Sequence, residues 1–166
     1  MGKPLKVLSW NVNGLSDAKK DCSDFVNIVN SGDIVCLYET WSRVNSDHTL
    51  NGYVCHNFVR KFQHRNSKRC SGGIVIYYRE NLNPGITFVR NHFESIIWIK
   101  LDKAFLALIK MFICAPCIFG AKVHPYTMLL TSIYLTFFKN DLYEYDDLGN
   151  VYIFGNMNSR TGLKMN

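Results

Sequence analysis

Asp33-Ile-Val-Cys-Leu-Tyr-Glu-Thr-Trp41 is the stretch whose reading decides the fold. Ile34 to Tyr38 form an unbroken β-prone run, which reads as a strand covered on both faces, and Glu39 stands at its end. N-terminal to it, Ser16 to Asn30 reads as an amphipathic helix. Ser16 or Asp17 can cap it, Cys22, Phe25, Val26 and Val29 make one apolar stripe, and Gly32 suits the C′ position that closes it. Earlier still, Leu5 to Trp10 is a strand that runs into the turn-like Asn11-Val-Asn13-Gly14. Strand, helix, strand in this order argues for an α/β unit.

Toward the C-terminus the same reading gives strands at Tyr53–Phe58 and Cys70–Arg79, the latter entered through Gly72-Gly73. A turn follows at Asn83-Pro84-Gly85, then strands at Ile86–Arg90, Ser95–Leu101 and Ala104–Ile113, with Asp102-Lys103 as a hairpin tip. His124 to Phe138 is expected to be a helix with Pro125 in its first turn, and Lys139 to Asn150 a polar, acidic connector. Val151 to Phe154 forms a last strand that delivers Gly155-Asn156-Met-Asn158-Ser-Arg160. Three strand ends thus carry Asn11 and Asn13, Glu39, and Asn156 and Asn158. A strand holds its end rigidly, so these groups are expected to form one polar site. Trp10 and Trp41 are expected in the core.

At 166 residues, 48% of them apolar, the chain reads as one domain over 1–166 with a sizeable core, which excludes a disordered class. Its net charge of +6 favours phosphate-bearing partners. Arg60, Lys61, Arg65, Lys68 and Arg69 crowd one turn-like loop, which reads equally as a phosphate-backbone contact or as a solvated loop. The N-terminus lacks the apolar core of a secretory signal. The most apolar run, Ala104 to Ala121, is interrupted by Lys110 and Pro116 and is shorter than the ~20 residues of a membrane span. Six cysteines without a signal suggest reduced thiols and an intracellular setting, nuclear or cytoplasmic. Cys114-Ala-Pro-Cys117 has the spacing of half a zinc site, but no second pair follows, so zinc is not expected. Nothing points to a membrane or to an obligate protein partner.

Taken in order, Leu8-Ser-Trp-Asn-Val-Asn-Gly-Leu15, Asp33–Trp41, Cys70-Ser-Gly-Gly-Ile-Val-Ile-Tyr77, Glu94-Ser-Ile-Ile-Trp-Ile-Lys100 and Gly155-Asn-Met-Asn-Ser-Arg-Thr-Gly162 resemble the endonuclease/exonuclease/phosphatase superfamily. Within it they look most like the apurinic-endonuclease-like domain of non-LTR (LINE-type) retrotransposons. The resemblance implies a four-layer α/β/β/α sandwich of two mixed sheets and metal-assisted phosphodiester cleavage of DNA. By matched position it implies that Asn11 is the first active-site asparagine and that Asn13 lies near the metal. It likewise makes Glu39 the metal-binding glutamate, and Asn158 the asparagine that positions phosphate and nucleophile. It implies Mg²⁺ or Mn²⁺. Such a hard cation needs one or two carboxylates and keeps its waters, while carboxamides orient phosphate without adding repulsive charge. Arg160 joins the basic loop as an expected nucleic-acid contact.

The sequence departs from the family pattern in three places. Asn156 stands where the family carries an aspartate that aligns or deprotonates the attacking water. A carboxamide is not basic near neutral pH, and general-base help is worth about 10²–10⁴-fold, so a severe loss of rate is expected. Cys114 replaces a tyrosine that contacts the scissile phosphate. The family domain also continues through further strands with another aspartate and a closing Asp–His pair, which His48, His56, His64, His92 and His124 do not match. The expectation is therefore an incomplete or decayed copy of such a domain, in which Asn156→Asp alone does not restore robust cleavage. The alternatives are a non-catalytic nucleic-acid-binding module, a phosphatase of the same superfamily, or a remnant without function.

Overall fold

The computed structural model describes residues 4–60, 72–92, 96–102, 112–114, 125–146 and 149–155. Two four-stranded mixed sheets lie face to face with a helix outside each. The first sheet contains β1 (Val7–Asn11), β2 (Ile34–Tyr38), β3 (Tyr53–Phe58) and β4 (Ile74–Arg79) in the order β1-β2-β4-β3. β1 and β2 are parallel, with Asn11 opposite Tyr38, and the other pairings are antiparallel. The second sheet contains β5 (Ile86–His92), β6 (Ile96–Leu101), β7 (Phe112–Cys114) and β8 (Ile153–Phe154) in chain order, antiparallel except for the parallel pair β7–β8.

The side-chain period of two sorts the buried strands into layers. Ile34, Cys36 and Tyr38, with Ile74, Ile76 and Tyr78, pack against Ile97, Ile99 and Leu101 of the second sheet. Val35, Leu37, Val75 and Tyr77 face the other way, onto Phe25 and Val29 of helix α2 (Ser23–Asn30). Ile96 and Trp98 turn outward onto Tyr145, Phe138 and Leu142 of α3 (Pro125–Asp146). This is the expected α/β/β/α sandwich, and all five residues of β2 are buried, as their composition required. Burial drives the Cys36 thiol far above its ordinary range, so it serves as apolar filling. Cys22, Cys36 and Cys55 are free thiols.

Several boundaries differ from the sequence reading. The expected helix over Ser16–Asn30 is two, α1 (Asp17–Lys20) and α2, broken at Asp21-Cys22. The Ser16 hydroxyl does cap α1, accepting from the Lys19 N–H at 3.3 Å. Gly32 is not left-handed; it is needed for space, because a Cβ there would lie 2.8 Å from Val35 Cγ2. The last carbonyls of α2 are met from outside it. The Tyr53 hydroxyl lies 3.0 Å from Val29 O and 2.8 Å from Gly32 O, and Arg79 donates to Asn30 O at 2.6 Å. The turn at Asn83–Gly85 is the end of a 3₁₀ segment, Glu80–Gly85.

The largest correction concerns Lys139–Asn150. Helix α3 continues through this stretch to Asp146, because Phe138, Leu142 and Tyr145 lie at helical spacing on Ile96 and Trp98. Asp141 shares that face and is buried, accepting a hydrogen bond from the Trp98 indole N–H. Of the expected strand Ala104–Ile113, residues 103–111 lie outside the described residues, and β7 runs on to Cys114.

Candidate active site

β1 and β2 are parallel neighbours, so both deliver their C-terminal ends to the same edge. The loops beyond them are bound together by backbone hydrogen bonds. Val12 N–H donates to Tyr38 O at 2.9 Å, Gly14 N–H to Glu39 O at 2.7 Å, and Leu15 N–H to Thr40 O at 2.8 Å. Asn11, at the end of β1, folds its side chain over this loop, its Oδ1 accepting from the Asn13 N–H at 3.0 Å. Such an Asx turn fixes the Asn11 carboxamide and supports the left-handed backbone of Asn13, φ 47°. Among the described residues, the Asn11 amide nitrogen and the Asn13 side chain have no partner. Lys19 reaches across from α1, its ammonium donating to Val12 O and to Gly14 O at 2.8 Å.

Glu39 is half-buried and also left-handed, φ 53°, as is Trp41, φ 54°. Asn tolerates this region, but for Glu and Trp it is sparsely populated, costing about 1–3 kcal/mol each and persisting only where surroundings dictate it. Here they do. Trp41 N–H donates to Gly72 O at 2.8 Å and Thr40 N–H to Gly73 O at 3.3 Å. The Glu39 carboxylate oxygen Oε2 accepts from the Gly72 N–H at 3.0 Å and from the Trp41 indole N–H at 3.2 Å. Among the described residues Oε1 accepts nothing.

Gly72 and Gly73, read from sequence only as a strand entrance, are part of this site. Both are left-handed, φ 71° and 84°, and a Cβ on Gly73 would lie 2.8 Å from the Thr40 hydroxyl. That hydroxyl is buried beneath the loop without a partner among the described residues. The aliphatic stem of Arg60 lies over Gly72, 3.2 Å from where a Cβ would stand, so Arg60 is beside the glutamate's backbone clamp. Trp10 packs as expected, its ring 5.6 Å from that of Phe25. Trp41 does not enter the core: it is 36% exposed and lies on Gly14, whose added Cβ would be 2.7 Å from the indole. The double glycine at Gly72-Gly73 was the sequence signal for the close approach of Arg60 and Thr40; nothing in the sequence signalled the seat of Trp41 on Gly14.

The third strand end reaches the same edge. The Tyr38 hydroxyl, from the last residue of β2, donates to Phe154 O, the last of β8, at 3.2 Å. Gly155 follows; Asn156, Asn158 and Arg160, like Lys61, Arg65, Lys68 and Arg69, lie outside the described residues.

A cation at this edge would meet a donor set of one carboxylate and neighbouring carboxamides. Among the described residues no three His, Cys, Asp or Glu side chains converge. That donor set suits a hard cation that keeps most of its waters. Glu39 fits: two N–H donors fix Oε2, which leaves Oε1 available.

The Endonuclease/Exonuclease/phosphatase family profile matches residues 8–160, and the chain belongs to that family. Among solved structures it is similar to the 3′ phosphatase NExo from Neisseria bound to a product DNA hairpin, with a TM-score of 0.62 and 15% identity over 96% of this chain and 60% of that one. An AP endonuclease from Archaeoglobus fulgidus gives a TM-score of 0.54 at 13% identity, over 96% and 59%. The human Nocturnin catalytic domain with a bound sulfate anion gives 0.58 at 11%, over 95% and 65%. At these identities the likeness is one of fold, and the chain spans roughly three-fifths of the length of these structures. No curated protein matches it in sequence. Among the described residues no helix is long and apolar enough to cross a membrane.

Proposed function

We propose that this chain is a divalent-cation-dependent DNA phosphodiesterase domain of the retrotransposon (LINE) type, with its rate lowered by Asn156. The observation that carries the proposal is Glu39: a carboxylate on a left-handed backbone, clamped through one oxygen, beside the exposed carboxamides of Asn11 and Asn13. Glu39, with Asn13 alongside, would hold Mg²⁺ or Mn²⁺. Such a cation, when bound, neutralises charge on the phosphate and on the departing oxygen.

The chain's own residues account for the rest. The Asn11 amide N–H groups donate to a phosphate oxygen, and Asn158 is assigned the same orienting task. Water attacks phosphorus, one P–O ester bond breaks, and the water's proton must leave. Asn156 cannot take it, so it passes to solvent, which lowers the rate by about 10²–10⁴-fold relative to a general base. Arg60, Lys61, Arg65, Lys68, Arg69 and Arg160 supply cations for the DNA backbone, in keeping with a net charge of +6.

Asn156 specifically favours a second reading, a module that binds nucleic acid without cutting it. Nicking of supercoiled plasmid and cleavage of an abasic-site duplex, each with Mg²⁺ or chelator, separate the two. Mg²⁺-dependent nicking abolished by Glu39→Ala supports the enzyme. Salt-sensitive DNA binding without nicking supports the binding module, and loss of both refutes each.

A further inference from the structure

Trp41 has three unusual properties at once. Its backbone is left-handed although it carries a bulky side chain; its ring covers Gly14, where no Cβ would fit; and its indole N–H donates to Glu39 Oε2 at 3.2 Å. A tryptophan whose task was burial would sit in the core, as Trp98 does at 1% exposure, and Trp41 remains 36% exposed. Strain of this kind is retained where a specific side-chain direction matters.

Geometry gives that direction. Gly72 N–H and the Trp41 indole N–H grip the same carboxylate oxygen from two loops, which leaves the carboxylate little rotational freedom about its last bond. The ring's seat on Gly14 links this grip to the loop carrying Asn11 and Asn13, itself tied to Glu39 by the Gly14 N–H. We infer that Trp41 is a positioning residue: its indole orients the Glu39 carboxylate toward a divalent cation and locks the Asn11–Gly14 loop against it. This rests on Glu39 being the cation's ligand, as proposed above. Partners that orient a ligand typically contribute about 10–100-fold to metal affinity or activity.

The test uses the 166-residue chain, with the indole N–H resonances of Trp10, Trp41 and Trp98 assigned by NMR. The Trp41 resonance is expected to move in Glu39→Ala without metal, and to move on Mg²⁺ titration of the unmutated chain. Trp41→Phe keeps a ring on Gly14 but removes the donor. It is expected to raise the Mn²⁺ dissociation constant, read from the electron paramagnetic resonance of free Mn²⁺, by roughly tenfold, with the melting temperature unchanged. A Trp41 resonance that ignores Glu39→Ala overturns the inference from the unmutated chain and that variant alone, whether or not Trp41→Phe folds. Unaltered Mn²⁺ binding by a folded Trp41→Phe also overturns it. If Glu39→Ala shifts the indole yet binds Mn²⁺ normally, the contact exists but the cation lies elsewhere. Both readings then fall, with the fault located in the ligand assignment.

Discussion

The left-handed stretch around Glu39 is held by glycines whose absence of a side chain is used as space. Gly73→Ala would bring a methyl group to 2.8 Å from the Thr40 hydroxyl at a φ of 84°. It is expected to destabilise the chain by about 1–3 kcal/mol in urea denaturation. Two histidines contribute a pH dependence to the stability near neutral pH. His48, hydrogen-bonded at 2.7 Å to the Ser42 hydroxyl, is held below the usual histidine range by burial and then by the Lys20 ammonium, against the opposing pull of Asp47 and Asp17. Burial does the same to His56. With folded values below the unfolded one, the unfolded chain binds protons first. Their contribution to stability is therefore complete above the unfolded value of about 6.5 and is lost as pH falls through it toward the folded values. The melting temperature should drop between about pH 7.5 and about pH 5.5, and His48→Gln should flatten that slope. At this scale the sequence showed which residue types gather at the strand ends, since Asn11 and Glu39 each close an apolar-rich run and Asn13 stands two residues beyond Asn11. It did not show the role of Trp41, because composition alone assigns an indole to the interior, whereas left-handed φ turns this one onto Gly14.

Among the elements, strands were legible where burial on both faces left only one reading, as in β2 and β4. Helix α3 was legible only in part, because the stretch after Phe138 is polar by count while its inward face is Phe138, Asp141, Leu142 and Tyr145. Asp141 hid the pattern: a carboxylate reads as surface, yet this one is 2% exposed and accepts from the Trp98 indole. Asp141→Leu keeps the bulk but removes this acceptor from the buried indole N–H. It is expected to cost about 1–3 kcal/mol, with Asp141→Asn, whose amide oxygen still accepts from the indole, costing less, both read by chemical denaturation. Tyr145→Ala should cost more, about 3–5 kcal/mol by analogy with other large buried aromatic truncations, since it opens a cavity against Trp98, whose ring centroid lies 5.0 Å away.

Over the whole molecule, the site depends on two sheets meeting in register. The Tyr38 hydroxyl spans them to Phe154 O, and Tyr38→Phe is expected to lower stability by about 0.5–1.5 kcal/mol. The same variant should weaken nucleic-acid engagement if it loosens the β8 end. Binding to a DNA duplex should itself fall with salt, with a slope of about −0.9 in log–log terms for each phosphate neutralised; a flat salt profile would remove the electrostatic partner argued from the net charge of +6. The layers were foreseeable from the sequence, but the bridge was not, because its two ends are 116 residues apart. The two sheets also divide the chain cleanly. Among the described residues, every strand pairing of the first lies within residues 7–79 and every one of the second within 86–154, with the 3₁₀ segment between them. Neither half borrows a strand from the other among the described residues, so this backbone pairing can finish in each before they dock. On a chain synthesised from its N-terminus, the half bearing Glu39 emerges first and stands with the inner face of its sheet uncovered. Translation order then becomes assembly order, and the interval before docking is when that apolar face is most open to capture by a chaperone or by another emerging copy.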